Sequence, residues 1–183
     1  MHETLNVIHS RRSHRAYKAA PLTREQLDVL IDAALQAPSA MNLQPWHLTA
    51  VEDQNLLDDI SRACADYARG KAGMSPRFQD PSFHVFYHAP AVMFLSYDPT
   101  QHFAPFDCGI AVENMALAAE SMGLGTVILG LPRMAFLGDQ AQRLADALHF
   151  PQGYAFALAL AVGTPDDDKA AHSVRDGLVT RLP

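Results

Sequence analysis

The stretch "FDCGIAVENMALAAESMGLGTVILG" occupies residues 106–130. Its first part reads as a helix over 107–122 whose polar members are Asp107, Glu113, Asn114, Glu120 and Ser121. Positions 107, 114 and 121 are seven apart, as are 113 and 120, which is nearly two turns, so all five fall on one narrow stripe. The rest of the cylinder is apolar: Ile110, Val112, Met115, Leu117, Met122 and several alanines. Such a helix needs cover on several sides. In a chain of 183 residues, part of that cover is expected from a second subunit.

Gly123 and Gly125 stop this helix, and a strand runs to Gly130. The glycines do not form G-x-G-x-x-G, and a helix leads into them where phosphate binding needs them to open one. Gly70-Lys71 is followed by Ala72, so a P-loop is absent too. A tightly held NAD or ATP is therefore not indicated, and a nicotinamide would visit.

Working outward, residues 3–10 carry Leu5 and Ile8 at helical spacing. In 23–37, Thr23 and Gln26 read as a capping box, with Leu27, Leu30, Ile31, Ala34 and Leu35 on one stripe and Pro38 as the stop. A strand is expected over 46–52, a helix over 54–69, a breaker-rich excursion or lid loop over 70–84, and a strand over 91–97. A linker is expected near 101–105 and a helix over 139–148. In "YAFALALAV" (154–162) large residues alternate with alanines, the pattern of a buried strand with one close-packed face. The tail from Thr164 is too polar and irregular for the core. The sum is one α+β domain over residues 1–183.

Hydrophobic residues make up 49% and charged residues 19%, with net charge −6, which fits a globular protein and disfavours nucleic acid and anionic membranes. Cys64 and Cys108 suit neither a disulfide framework nor a metal site. Arg11 and Arg12 precede any apolar run, and the longest such run is too short for a membrane helix, so a cytoplasmic protein is expected.

The strongest local charge is "RRSHR", Arg11 to Arg15. Three guanidiniums and the Ser13 hydroxyl suit a bidentate grip on phosphate; a solvated basic turn is the alternative, and His14 reads as a surface residue. "APSAMNLQPWHL" (37–48) places small and amide residues ahead of a strand. His84 and His88 sit in extended surroundings, so structural or surface roles are expected and no metal. No side chain reads as a self-sufficient nucleophile, which fits chemistry carried by a bound cofactor.

In order, "RRSHRAY" (11–17), "APSAMNLQPWHL" (37–48), "APAVMFLSYD" (89–98) and "FDCGIAVENMALAAESMGLGT" (106–126) resemble the motifs of the nitroreductase-like family of FMN-dependent oxidoreductases. The resemblance implies a three-layer α/β/α fold: a mostly antiparallel central sheet surrounded by helices, with the C-terminal tail extending to the partner subunit. It implies a homodimeric flavoprotein with FMN at the interface. Arg11, Arg12, Ser13 and Arg15 would hold the ribityl phosphate and nearby polar atoms. Pro38, Ser39, Ala40, Asn42 and Gln44 would line the flavin, in part from the partner. Ile128, Leu129 and Gly130 would offer backbone groups to its pyrimidine and N5 edge. Arg175 is the candidate for a returning C-terminal cation, although Ser173 stands where many members carry a second one.

The implied activity is nitroreductase-type, with NADH or NADPH as co-substrate. Hydride would pass through flavin N5 to a small nitroaromatic or quinone, ping-pong, with no catalytic side chain assigned. Azoline dehydrogenation, dehalogenation, flavin fragmentation and a non-catalytic FMN-binding module are the alternatives.

Overall fold

A computed structural model describes residues 2–69 and 71–182. Gly70, the first residue of the expected excursion and of the Gly70-Lys71-Ala72 triplet, lies outside them. Among the described residues five helices, α1 (Glu3–Ser10), α2 (Arg24–Leu35), α3 (Gln54–Ala68), α4 (Ala104–Ser121) and α5 (Ala141–Ala147), surround four strands. These are β1 (Trp46–Val51), β2 (Ala91–Tyr97), β3 (Gly125–Leu129) and β4 (Ala155–Gly163), with 3-10 turns at Ala40–Asn42, Pro76–Gln79 and Leu131–Phe136. The sheet order is β1-β2-β4-β3, and every neighbouring pair is antiparallel.

Local chemistry sets the helix ends. The Thr23 hydroxyl accepts the Gln26 N–H at 3.2 Å while Gln26 accepts the Thr23 N–H at 2.9 Å, closing the capping box. Asp53 caps α3 through the Asn55 N–H at 2.9 Å. From α3, Leu57, Ile60 and Cys64 pack with Val92, Phe94 and the 131–136 turn on one face of the sheet. From α2 and α4, Leu30, Ala34, Cys108 and Met115 pack with Met93, Leu95 and Leu160 on the other. Two apolar cores flank one sheet, so β2 is buried on both sides. This is the expected three-layer arrangement.

β4 departs from strict alternation. Leu158 pairs with Leu95 and Phe156 with Ser96, which leaves Ala157 as an extra residue in the ladder. The bulge turns Phe156 to the α3 side, where its ring stacks on Phe136 at 5.0 Å, while Leu160 and Val162 face α4.

α4 also differs from its expected polar stripe. Asp107 is buried, accepting the Ala40 N–H at 3.3 Å, and Asn114 donates to the Ala33 carbonyl at 3.1 Å. Those two groups cap neighbouring backbone instead of facing water. The outward stripe is largely apolar, with Phe106 67% and Ile110 41% exposed. α4 starts at Ala104, inside the expected linker, because Pro105 supplies a preset first turn.

The 71–84 excursion is anchored: Phe78 is buried and meets Phe83 edge-on at 5.4 Å. Tail residues Thr164 and Asp166 pair with Lys18 and Ala16 before the chain runs out exposed. Among the described residues, no helix is long and apolar enough to cross a membrane.

Candidate functional site

After α1 the chain extends along the start of β3. Ser13 bridges Thr126, and the His14 N–H donates to the Thr126 carbonyl at 2.8 Å. This strap lies so close that a Cβ added at Gly125 would stand 2.9 Å from the His14 ring. Gly125 therefore serves packing, consistent with the absence of a dinucleotide fingerprint.

The guanidiniums of the strap are not equivalent. Arg12 folds back, donating through Nη1 to the carbonyls of His9 at 2.7 Å and Arg11 at 2.8 Å, which satisfies the end of α1. Its Nε is buried without a partner. Arg11 Nε lies 3.3 Å from a Glu113 oxygen. Arg15 has no carboxylate partner among the described residues, and its Cζ lies 5.9 Å from the centre of the Tyr87 ring.

His14 is not the surface residue expected from sequence. Its Nδ1 is 2.6 Å from Asp167 Oδ1, while Asp167 Oδ2 accepts the Arg15 N–H at 3.0 Å and lies 3.1 Å from Lys169 Nζ. Burial alone would raise the Asp167 pKa, but the Arg15 N–H, His14 and Lys169 pull it down to about 2. The tail thus clasps the strap. Because the carboxyl is held below its ordinary 3.8, its stabilising contribution is complete above that value and is lost as pH falls toward about 2. Asp167→Asn is expected to lower the melting temperature at neutral pH and to flatten the acid limb of the stability curve. Thermal unfolding between about pH 6 and 2 measures both.

The second group, residues 38–44, sits at the start of α4. Met41, Asn42 and Gln44 have φ of 51°, 55° and 47°, left-handed conformations that cost about 1–2 kcal/mol each outside glycine, least for Asn. Side chains hold the loop. Ser39 Oγ accepts the Gln44 N–H at 2.9 Å, Asn42 Oδ1 accepts from Gln44 Nε2 at 3.0 Å, and Asp107 holds the Ala40 N–H. Strain retained by a dedicated network is a mark of a functional loop.

Within one chain these groups do not all meet. The strap and Ile128–Gly130 share β3; Ile128 is half-buried, Leu129 buried and Gly130 exposed. A Cβ at Gly130 would meet nothing within 4 Å, so the backbone there is open to approach. Pro38–Gln44 forms no hydrogen bond to the strap among the described residues, and Arg175 lies exposed in the tail.

A turn invisible to sequence reading adjoins the strap. His84 Nδ1 accepts the N–H groups of Phe86 at 3.3 Å and His88 at 3.4 Å, and its buried Nε2 lies 3.2 Å from Asp58 Oδ1 without a hydrogen bond among the described residues. Asp58, His84 and His88 have ligand atoms within 4.8 Å of one another. Nδ1 of His84 is already taken by two backbone N–H groups, and the two imidazoles stack at 4.4 Å and 25°. The two backbone N–H groups on Nδ1 make the cluster a hydrogen-bonded turn. Burial, then the charge of His88, lowers the His84 pKa against the pull of Asp58. The turn's contribution is therefore complete above the ordinary imidazole value and is lost as pH falls through it toward the lowered one. His84→Gln should reduce the stability lost as pH falls below the ordinary imidazole value, read by thermal unfolding.

A cavity of about 880 Å³ lies elsewhere, between α3 and the excursion, lined by Asp58, Arg62, Met74, Phe78 and Phe83 among others. None of the site residues expected from sequence lines it, so chemistry and not volume locates the site.

Fold and site together define a class: an α/β/α sandwich with an arginine strap on its edge strand and a strained amide loop at the head of its long helix. The chain belongs to the Nitroreductase family, whose model matches residues 8–164. It is similar to a nitroreductase with bound FMN from Desulfitobacterium hafniense, at 34% identity and a TM-score of 0.94 over 100% of both chains. A nitroreductase with bound FMN from Bacteroides fragilis gives 27% and 0.93, again over 100% of both chains. An FMN reductase [NAD(P)H] of Bacillus subtilis is 30% identical over 93% of this chain and 69% of its own length.

Proposed function

We propose that this chain is an FMN-dependent oxidoreductase that draws hydride from NADH or NADPH and passes it, ping-pong, to a small oxidised acceptor such as a nitroaromatic or a quinone. The observation that carries the reading is the strap. Among the described residues the Arg15 guanidinium has no carboxylate partner, its Nη1 donating to the Ser13 carbonyl at 3.3 Å, and Arg12 Nε is buried without an acceptor, so the donor set suits a phosphate dianion. The relatives named above support FMN and NAD(P)H as the reactants.

FMN, when bound, supplies reversible two-electron chemistry that no side chain here offers. The chain's part is binding and orientation. Arg11, Arg12, Ser13 and Arg15 hold the phosphate end, with Arg175 a further cation from the tail. The backbone at Ile128, Leu129 and Gly130 lines one edge of the ring system. Pro38, Ser39, Ala40, Asn42 and Gln44 reach it from the other protomer, which is why strap and loop can stand apart within one chain. The apolar stripe of α4 and the exposed tail residues Val174, Leu178 and Val179 supply the homodimer surface. Residues 1–183 act as one unit in each protomer, and no side chain is assigned as a proton donor.

Denaturing the purified protein and identifying the released chromophore tests the cofactor. FMN at one per chain is expected. A colourless protein that takes up no added FMN would overturn the reading.

A further inference from the structure

Arg77 stands exposed on the Pro76–Gln79 turn. Its Cζ lies 5.4 Å from the centre of the Phe83 ring, and its Nη1 is 3.5 Å from the Tyr87 hydroxyl. Among the described residues no carboxylate pairs with it. Tyr87 in turn lies beside Arg15 of the strap, so one phenol ring sits between a guanidinium of the proposed cofactor site and one of the excursion. Neither Arg77 nor Tyr87 lines the 880 Å³ cavity.

The backbone under Tyr87 is strained. Tyr87 has φ 55° and His88 φ 53°, two successive left-handed residues without glycine. His84 holds the turn by accepting two backbone N–H groups, and the Ser61 hydroxyl accepts the Val85 N–H at 3.0 Å. A buried network that maintains such strain beside a candidate site points to a use for the residue it presents. What it presents is an aromatic face next to a planar fork of N–H donors with no acid to satisfy them. That combination suits a flat ring carrying an oxoanion: the ring packs on the aromatic pair and the carboxylate takes the guanidinium edge.

The geometry points to Arg77, oriented by Tyr87 and Phe83, as a specificity element that selects aromatic acceptors bearing a carboxylate. The inference rests on the oxidoreductase reading, but its test reads binding, so the two fail separately. Calorimetric titration of the FMN-saturated protein with 4-nitrobenzoate and with 4-nitrobenzamide compares one ring with and without the charge. The unsubstituted protein is expected to bind the carboxylate about tenfold more tightly, the scale of one charge-assisted contact. Arg77→Gln should abolish that preference, Arg77→Lys should keep most of it, and both should bind FMN as before. The inference is overturned if the unsubstituted protein shows no preference, if Arg77→Gln retains it, or if Arg77→Gln loses FMN affinity. A preserved preference in a protein whose flavin neither NADH nor NADPH bleaches would strike the oxidoreductase reading and leave the carboxylate site at Arg77 standing.

Discussion

Arg15→Ala is expected to weaken FMN binding roughly ten- to a hundredfold, the loss of one charge-assisted phosphate contact at about 1.5–3 kcal/mol. Arg15 is the sharper probe of the strap because its guanidinium has no carboxylate partner among the described residues and one 3.3 Å contact to the Ser13 carbonyl, whereas its neighbours are more fully occupied. Arg12 already bonds the carbonyls of His9 in α1 and of Arg11 just after it, and Arg11 lies against Glu113. Arg11→Ala should weaken binding in the same direction, with part of its effect offset by release of Glu113. Its circular dichroism should stay native, because the His14–Asp167 clasp holds the strap independently of either side chain. Equilibrium titration followed by flavin fluorescence measures the change. Affinity unchanged in both variants would remove the arginines from the site.

Ile110→Asp is expected to convert a dimer into folded monomers. Ile110 lies on the outward stripe of α4 and is 41% exposed in the single chain, so the substitution leaves both cores intact. In a dimer packed through that stripe, the same carboxylate would be buried without a partner, a loss of several kcal/mol. Leu117→Asp, one step further along and half-buried, should act in the same direction at some added cost to the fold. Light scattering should give about twice 20.0 kDa for the parent and a single chain for the variant. Because the flavin is lined from both protomers in this account, the monomer should also lose FMN. A variant that stays dimeric, or a parent that is monomeric, would contradict the interface.

What could be read from sequence was set by interactions close along the chain. The Thr23–Gln26 box, the continuous apolar run of β2 and the glycine stop after α4 depend on residues within a few positions of one another, and each stands where expected. The bulge at Ala157 could not be read, because it exists only in register with β2. Asp107 and Asn114 belong to the polar stripe by count, but their backbone partners at Ala40 and Ala33 lie on another element. The clasp of Asp167 on His14 joins residues 153 positions apart, so no local pattern announces it. For the site, residue types were legible and geometry was not. "RRSHR" and "APSAMNLQPW" offered the candidate donors, whereas the unequal engagement of the three arginines and the strained turn at Tyr87 depend on contacts made only in the folded chain.

The measurement that bears most directly on the whole account is an anaerobic half-reaction of the purified protein followed by flavin absorbance. NADH or NADPH should bleach the bound flavin, and addition of menadione or a nitroarene in the absence of oxygen should restore the colour. A flavin that neither nicotinamide bleaches, or a bleached one that neither acceptor recolours, would contradict it.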